Sequence, residues 1–132
     1  TTLFGNDTFS YQIFENKGNK LRVGNFILVD YSLLESCSGD SVLIFQDTMA
    51  SGTKRKRYQY CGFKKSNTPI AKYSNVDCIK STLFNTFSDG RQYVQDFYIS
   101  KNIGIVATIS LTYSSSGKLL SKEMEFLSST NF

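Results

Sequence analysis

The chain predicts an all-β fold: one domain over residues 1–132, an antiparallel meander of about eight to ten strands forming a curled sheet, barrel or sandwich. Three observations carry this. Apolar and polar residues alternate from one end of the sequence to the other. No segment sustains the helical apolar period of about 3.6 residues. The 11 Phe and 8 Tyr accompany many Val, Ile and Thr, whose bulk suits a pleated, half-buried surface.

Taken in order, Phe9, Tyr11 and Ile13 alternate with Ser10 and Gln12 as a first strand, before a turn at residues 15–19. Leu21 and Val23 resume the alternation. Residues 26–29 form a continuous apolar run, the pattern of a strand covered on both faces. Ser38-Gly39-Asp40 is a turn by composition, and Val42-Leu43-Ile44-Phe45 the strand after it. A turn within residues 47–53 leads to strand 57–61, which sets Tyr58 and Tyr60 on one face. Residues 62–69 are a polar connection, and Ser88-Asp89-Gly90 marks a further turn. The last third reads as strands 93–100 and 103–113, a turn at 114–117, and strand 118–126.

The nearest approach to a helix is residues 119–127. Leu120, Met124 and Phe126 also fit one strand face beside Lys122, so this too reads as strand. Gly18, Gly52 and Gly117 each sit in a turn with Lys one or two residues on, which is hairpin chemistry rather than duplication. Gly104, between Ile103 and Ile105, falls in a strand interior, where glycine permits a bulge that curls the sheet around a core or a ligand cavity. Phe9, Tyr11, Phe26, Phe45, Phe84, Phe87, Phe97 and Phe126 are the expected core aromatics, and an apolar ligand carried inside the curl is one reading of them.

Composition removes several classes. A chain of this length buries roughly two thirds of its unfolded surface. A single Pro, nine Gly and 40% apolar residues exclude collagen-like and disordered chains. No window reaches the roughly 18 consecutive apolar residues of a membrane-spanning helix. With no His and no G-x-S-x-G turn, a Ser-His-Asp arrangement is excluded, and cysteine nucleophiles lose their usual partner. Asp30, Glu35, Asp40, Asp47 and Asp89 read as turn acids rather than a glycosidase pair, and no glycine-rich loop precedes a helix. The expectation is a protein without enzymatic activity and without a cofactor.

The net charge is +4. Much of the excess lies in Lys54, Arg55, Lys56 and Arg57, with Lys64 and Lys65 close behind: a basic patch for nucleic acid, phospholipid headgroups or acidic glycans, or the charged edge that keeps a sheet from aggregating. No recognisable nucleic-acid motif accompanies it. Cys37, Cys61 and Cys78 suit one disulfide and one free thiol in an oxidising compartment, or three buried reduced thiols in the cytosol. The first residue, Thr1, suggests a trimmed N-terminus, and Asn6-Asp7-Thr8 fits the glycosylation triplet.

Two resemblances add to this reading. Asp77-Cys78-Ile79-Lys80, then the run from Phe97-Tyr98 to Gly104-Ile105-Val106, then Tyr113 to Leu120 around Gly117-Lys118, follow one another at close spacing. With Lys17-Gly18-Asn19-Lys20 and Tyr58-Gln59-Tyr60-Cys61, this pattern resembles small exported all-β proteins and lipoproteins of bacterial envelopes, of the Bacteroidota type, mostly of unknown function. That likeness implies export to the periplasm, outer membrane or exterior, a curved sheet and a binding or structural role with a protein, glycan or lipid partner. It favours pairing of Cys61 with Cys78. Separately, Cys37-x-x-Asp40, Tyr60-Cys61-Gly62 and Phe87-Ser88-Asp89 resemble the second half of a CUB domain. That likeness implies a Cys37–Cys61 bridge and a calcium site from Glu35, Asp40 and Asp89. The family's first cysteine pair is absent. The envelope reading, with no metal, is preferred.

Overall fold

A computed structural model describes residues 14–17, 20–23, 26–100 and 103–126. Among them the chain forms a small sheet, β1 (Phe14–Lys17), β2 (Lys20–Val23) and β3 (Phe26–Asp30), then a one-turn helix α1 (Leu33–Ser36). A large sheet follows: β4 (Ser41–Thr48), β5 (Lys54–Tyr60), β6 (Lys64–Lys65), β7 (Asp77–Thr86), β8 (Gln92–Ser100), β9 (Gly104–Tyr113) and β10 (Leu119–Phe126). Every pairing is antiparallel, in the order β1-β2-β3 and β10-β9-β8-β7-β5-β4, with the short β6 against the start of β7. The all-β meander predicted from alternation is therefore what forms. β4 and β10 are its edges among the described residues, so the large sheet is open rather than a closed barrel. The expected strand at Phe9, Tyr11 and Ile13 and the Asn6 triplet lie outside the described residues, while Glu15 to Lys17, expected in a turn, belong to β1.

Three hairpins of the large sheet turn in the same way. The N–H of Met49, Phe87 and Ser114 donates to the carbonyl four residues on, at 2.8, 2.9 and 2.8 Å. The glycine just before that carbonyl donates back at 2.9 Å in each case. Such a three-residue loop ends in a left-handed residue, and Gly52 and Gly117 both take φ +89°. Glycine turn signals are thus why the turns that follow β4, β7 and β9 were legible. Gly104 differs from expectation: it is the first residue of β9, and the register shift falls further on, where both Val106 and Ala107 sit opposite Tyr98.

The central strand was the hidden one. Alternation does not assign a strand between Pro69 and Phe87, yet β7 joins β5 to β8 there. Cys78, Ile79, Ser81 and Thr82 are all buried, so neither face of this stretch is polar by exposure and the period-two signal is lost. One face of β7 carries Ile79, which packs with Ile99, Phe97 and Ile105 against Leu21, Leu28 and Val29 of the small sheet. The opposite face carries Cys78, packed with Val106 under Tyr73, part of a connection that includes Ile70 and Val76. We call these the inner and outer faces. Of the expected core aromatics, Phe97 is in the buried core, whereas Phe45, Phe84, Phe87 and Phe126 are only half-buried.

The small sheet is stitched to the large one by a side chain that imitates a strand. Gln59, 1% exposed, accepts from Asp30 N–H through Oε1 (2.7 Å) and donates from Nε2 to Asp30 C=O (3.0 Å). Replacing it with Leu strands both backbone groups of Asp30 in a buried site. We expect Gln59→Leu to lose about 2–4 kcal/mol in urea unfolding, while Gln46→Leu on the exposed part of β4 stays within about 0.5 kcal/mol of the parent.

Candidate binding faces of the large sheet

Alternation divides the predicted basic patch between two faces. Lys54 and Lys56 are exposed on the outer face, in register with Thr86 and Phe84. Arg55 and Arg57 project to the inner face, in register with Asn85 and Leu83. Arg55 is held by Asp47, through Nε at 2.8 Å and Nη2 at 2.5 Å, and this hydrogen bond keeps the Asp47 carboxyl below its ordinary range. Lys64 and Lys65 are exposed on β6, with Lys65 paired to Asp77 at 2.5 Å. The single six-residue patch does not form, because successive residues of β5 point to opposite sides.

On the outer face, rows of side chains cross the strands. Lys80 lies between Tyr60 and Tyr98, 4.7 and 6.0 Å from their ring centroids, with Asp96 Oδ2 at 4.0 Å. Thr82 Oγ1 donates to Asp96 Oδ1 at 2.6 Å, and burial pushes the Tyr98 phenol above its ordinary pKa, against the pull of Lys80. The next residues along the strands bring Tyr58 edge-on to Phe84 at 5.8 Å. Leu43 beside Tyr58, Met124 beside Ile109 and Leu119 beside Tyr113 are 43, 47 and 48% exposed on this same face. Among the described strand residues of the large sheet, its charges are Lys54, Lys56, Lys80 and Lys122, with Lys64 of β6 opposite Cys78, against the one acid Asp96.

The inner face below the small sheet is polar instead. Arg57 is 5% exposed; its Nη1 donates to Ser81 Oγ at 3.0 Å and its guanidinium lies 5.4 Å from the Phe97 ring centroid. Burial pulls its pKa down to about 10. No carboxylate among the described residues is paired with it. Thr108, the residue opposite Phe97, is 7% exposed, and among the described residues its Oγ1 has no hydrogen-bond partner, as is also true of Asn85 Oδ1 two residues beyond Leu83. Sequence reasoning assigned Arg57 to the solvent; only the parity of β5 relative to Tyr58 and Tyr60 could have revealed otherwise.

The cysteines pair as the CUB likeness implied and not as the envelope likeness did. Cys37 and Cys61 form the disulfide, with Cα atoms 5.6 Å apart, and Cys61 N–H donates to Asp40 C=O at 3.0 Å beside it. Cys78 is a free thiol, wholly buried on β7 against Tyr73 and Val106, and so cannot meet Cys61. The calcium set, by contrast, does not assemble. Asp40 precedes β4, whose first residue pairs with Tyr60, whereas Asp89 follows β7, whose last residue pairs with Lys54. The length of β5, roughly 20 Å, separates them. Asp89 is used in its own turn, accepting from Arg91 N–H at 3.0 Å and Arg91 Nε at 2.7 Å, which lowers its pKa. Glu35 falls in α1. Among the described residues no group of three or more metal-binding side chains occurs.

Among the described residues the fold is an open antiparallel meander with a small sheet packed on it and one disulfide beside that sheet. Comparison with protein-family models, curated proteins and solved structures finds no match to this chain.

Two measurements check the cysteine chemistry. Non-reducing peptide mapping is expected to return the Cys37–Cys61 crosslink alone, and its 24-residue separation predicts that reduction costs about 3.5 kcal/mol in the chain-entropy model. Burial, then the negative charge of Asp77, pushes the Cys78 thiol up to about 11 from 9.0. A folded-state pKa raised in this way contributes stability that is intact below pH 9 and lost as pH climbs through 11. Melting temperature should therefore fall more steeply between pH 9 and 11 in the parent than in Cys78→Ala.

Proposed function

We propose that this chain is an exported, non-catalytic binding domain that docks on an anionic lipid surface of the cell envelope through the outer face of its large sheet. The observation that carries the reading is the mixture on that face. Lysines Lys54, Lys56, Lys80 and Lys122 stand among exposed Leu43, Leu119 and Met124 and the half-buried Tyr58, Phe84 and Tyr98. Exposed apolar side chains interleaved with cations across one sheet face suit headgroups above and acyl chains below, with Lys stems lying along the apolar part. Exposed aliphatic side chains favour lipid over an acidic glycan, which offers them no partner. The disulfide agrees with an oxidising compartment. No helix among the described residues is long and apolar enough to cross a membrane, so the reading rests on surface attachment.

Co-sedimentation with vesicles tests it. Binding to phosphatidylglycerol vesicles is expected to exceed binding to phosphatidylcholine vesicles at least tenfold and to weaken with salt. Lys54→Glu with Lys56→Glu should remove most of the binding, at about 1 kcal/mol or more per lysine, and Met124→Ser should weaken it on both vesicle types. Equal binding to the two lipids, or none, overturns the proposal.

A further inference from the structure

The two edges of the large sheet match each other, and this does not depend on the lipid reading. Successive antiparallel steps lead from β4 through β5, β7, β8 and β9 to β10, so the two edge strands run in opposite directions. Each is 8 residues long and carries one extra residue, Ile44 in β4 and Leu120 in β10. The hairpins between them repeat at a fixed register. Thr48, Thr86 and Tyr113 stand opposite Lys54, Gln92 and Leu119 across their turns. From one hairpin to the next, Lys54 stands opposite Thr86 and Gln92 opposite Tyr113. The turns abut in the same rhythm: a Cβ at Gly52 would lie 3.4 Å from Ser88 Cβ, and one at Gly90 3.3 Å from Ser115 Cβ. A Cβ at Gly117, last in the row, would meet nothing within 4 Å among the described residues. The next step of the same pattern carries Leu119 to Thr48 and Gly117 to Ala50, which is where a second copy of the row begins.

We propose that copies of this chain join head to tail, β10 of one against β4 of the next, as one continued antiparallel sheet. Starting from Leu119 opposite Thr48, the shift made by Leu120 is undone at Ile44, so outer face meets outer face along the whole contact. Lys122 then faces Gln46, Met124 faces Leu43 and Phe126 faces Ser41. Met124 and Leu43, 47 and 43% exposed in the single chain, become a cross-strand apolar pair. On the inner face Glu123 and Glu125 stand opposite Phe45 and Val42, so no like charges are directly opposed. A symmetric β10–β10 contact is worse. Its two-fold axis keeps like faces together and centres on a residue, which sets Lys122 against Lys122, or Glu123 and Glu125 against themselves or each other. A head-to-tail contact leaves one β10 edge and one β4 edge unjoined at the ends of any pair, so assembly continues past the dimer.

Sedimentation velocity of the disulfide-bonded chain, without lipid and over a thousandfold range of concentration, is the first reading. The weight-average mass is expected to climb past that of a dimer. Leu43→Glu with Met124→Glu places two carboxylates at the contact; both positions are exposed, so this variant should melt with the parent and stay monomeric. Crosslinking tests the register. With oxidised glutathione as the oxidant, Leu43→Cys mixed with Met124→Cys should form an intermolecular disulfide at least tenfold faster than Leu43→Cys mixed with Lys122→Cys, as read by peptide mapping. Neither Leu43→Cys nor Met124→Cys alone should crosslink to itself at a comparable rate, since a head-to-tail contact never brings a position against its own copy. A parent mass that stays at the monomer or stops at the dimer, a doubly substituted Glu variant that assembles as the parent does, or crosslinking as fast to Lys122→Cys as to Met124→Cys overturns the proposal.

Discussion

Everything in this fold leans on β7 burying side chains on both of its faces, at Cys78, Ile79, Ser81 and Thr82. Ile79 is covered by the small sheet and Cys78 by the connection that carries Tyr73, and Ser81 and Thr82 are buried beside them. A strand so placed must satisfy its polar side chains with other side chains, and each one present finds a partner on a neighbouring strand. Ser81 accepts from Arg57 on β5, and Thr82 donates to Asp96 on β8. These two bonds run to opposite sides of the sheet and in opposite directions along its order. They fix β7 laterally as its Ile79 fixes it against the small sheet, and the polar atoms specify register where apolar packing would tolerate a slip.

The end of β5 does a related job for the covering layer. Within three residues, Gln59 binds both backbone groups of Asp30 and Cys61 is bridged to Cys37. Cys61 also donates to the Asp40 carbonyl. One hook therefore holds the exit of β3, another the exit of α1, and the third the entry to β4. The small sheet has only three short strands and would have little stability alone, so it becomes a lid on Ile79, Ile99 and Ile105 because this corner anchors it.

Much of the architecture was legible from residues alone, and the reasons for the exceptions are specific. Hairpins announced themselves through Gly52, Gly90 and Gly117, since a three-residue loop needs a left-handed residue at its end. β8, β9 and β10 fall where the sequence reads as strands between turn residues. β7 was illegible because burial of both faces erases alternation, and Ser81 and Thr82 look like solvent residues until their partners on other strands are known. The cysteine pairing followed a short motif at the wrong cysteine: Asp77-Cys78 sits in the middle of the sheet with its thiol among Tyr73 and Val106. The calcium triad failed for a different reason. Asp40 and Asp89 are both turn acids, but meander topology puts their turns at opposite ends of β5, which no local spacing reveals.

The run Lys54-Arg55-Lys56-Arg57 shows how one sequence feature becomes two chemistries. Read as a string, it is a concentration of charge; threaded into a strand, its period of two sends the lysines to one side and the arginines to the other. The choice of residue then matches the side. Lysine, strongly hydrated and flexible, occupies the face that meets solvent, where its stem can lie beside Tyr58 and Phe84. Arginine, more weakly hydrated and with fixed forked donors, occupies the covered face, where Arg55 meets Asp47 and lies 5.6 Å from the Phe45 ring centroid, and Arg57 meets Ser81 and Phe97. Were the run only a device against aggregation, either basic residue would serve at all four positions, and edge strands rather than the interior β5 would carry it. β5 lies between β4 and β7, away from both edges, so protection of an edge cannot be what these four residues are for.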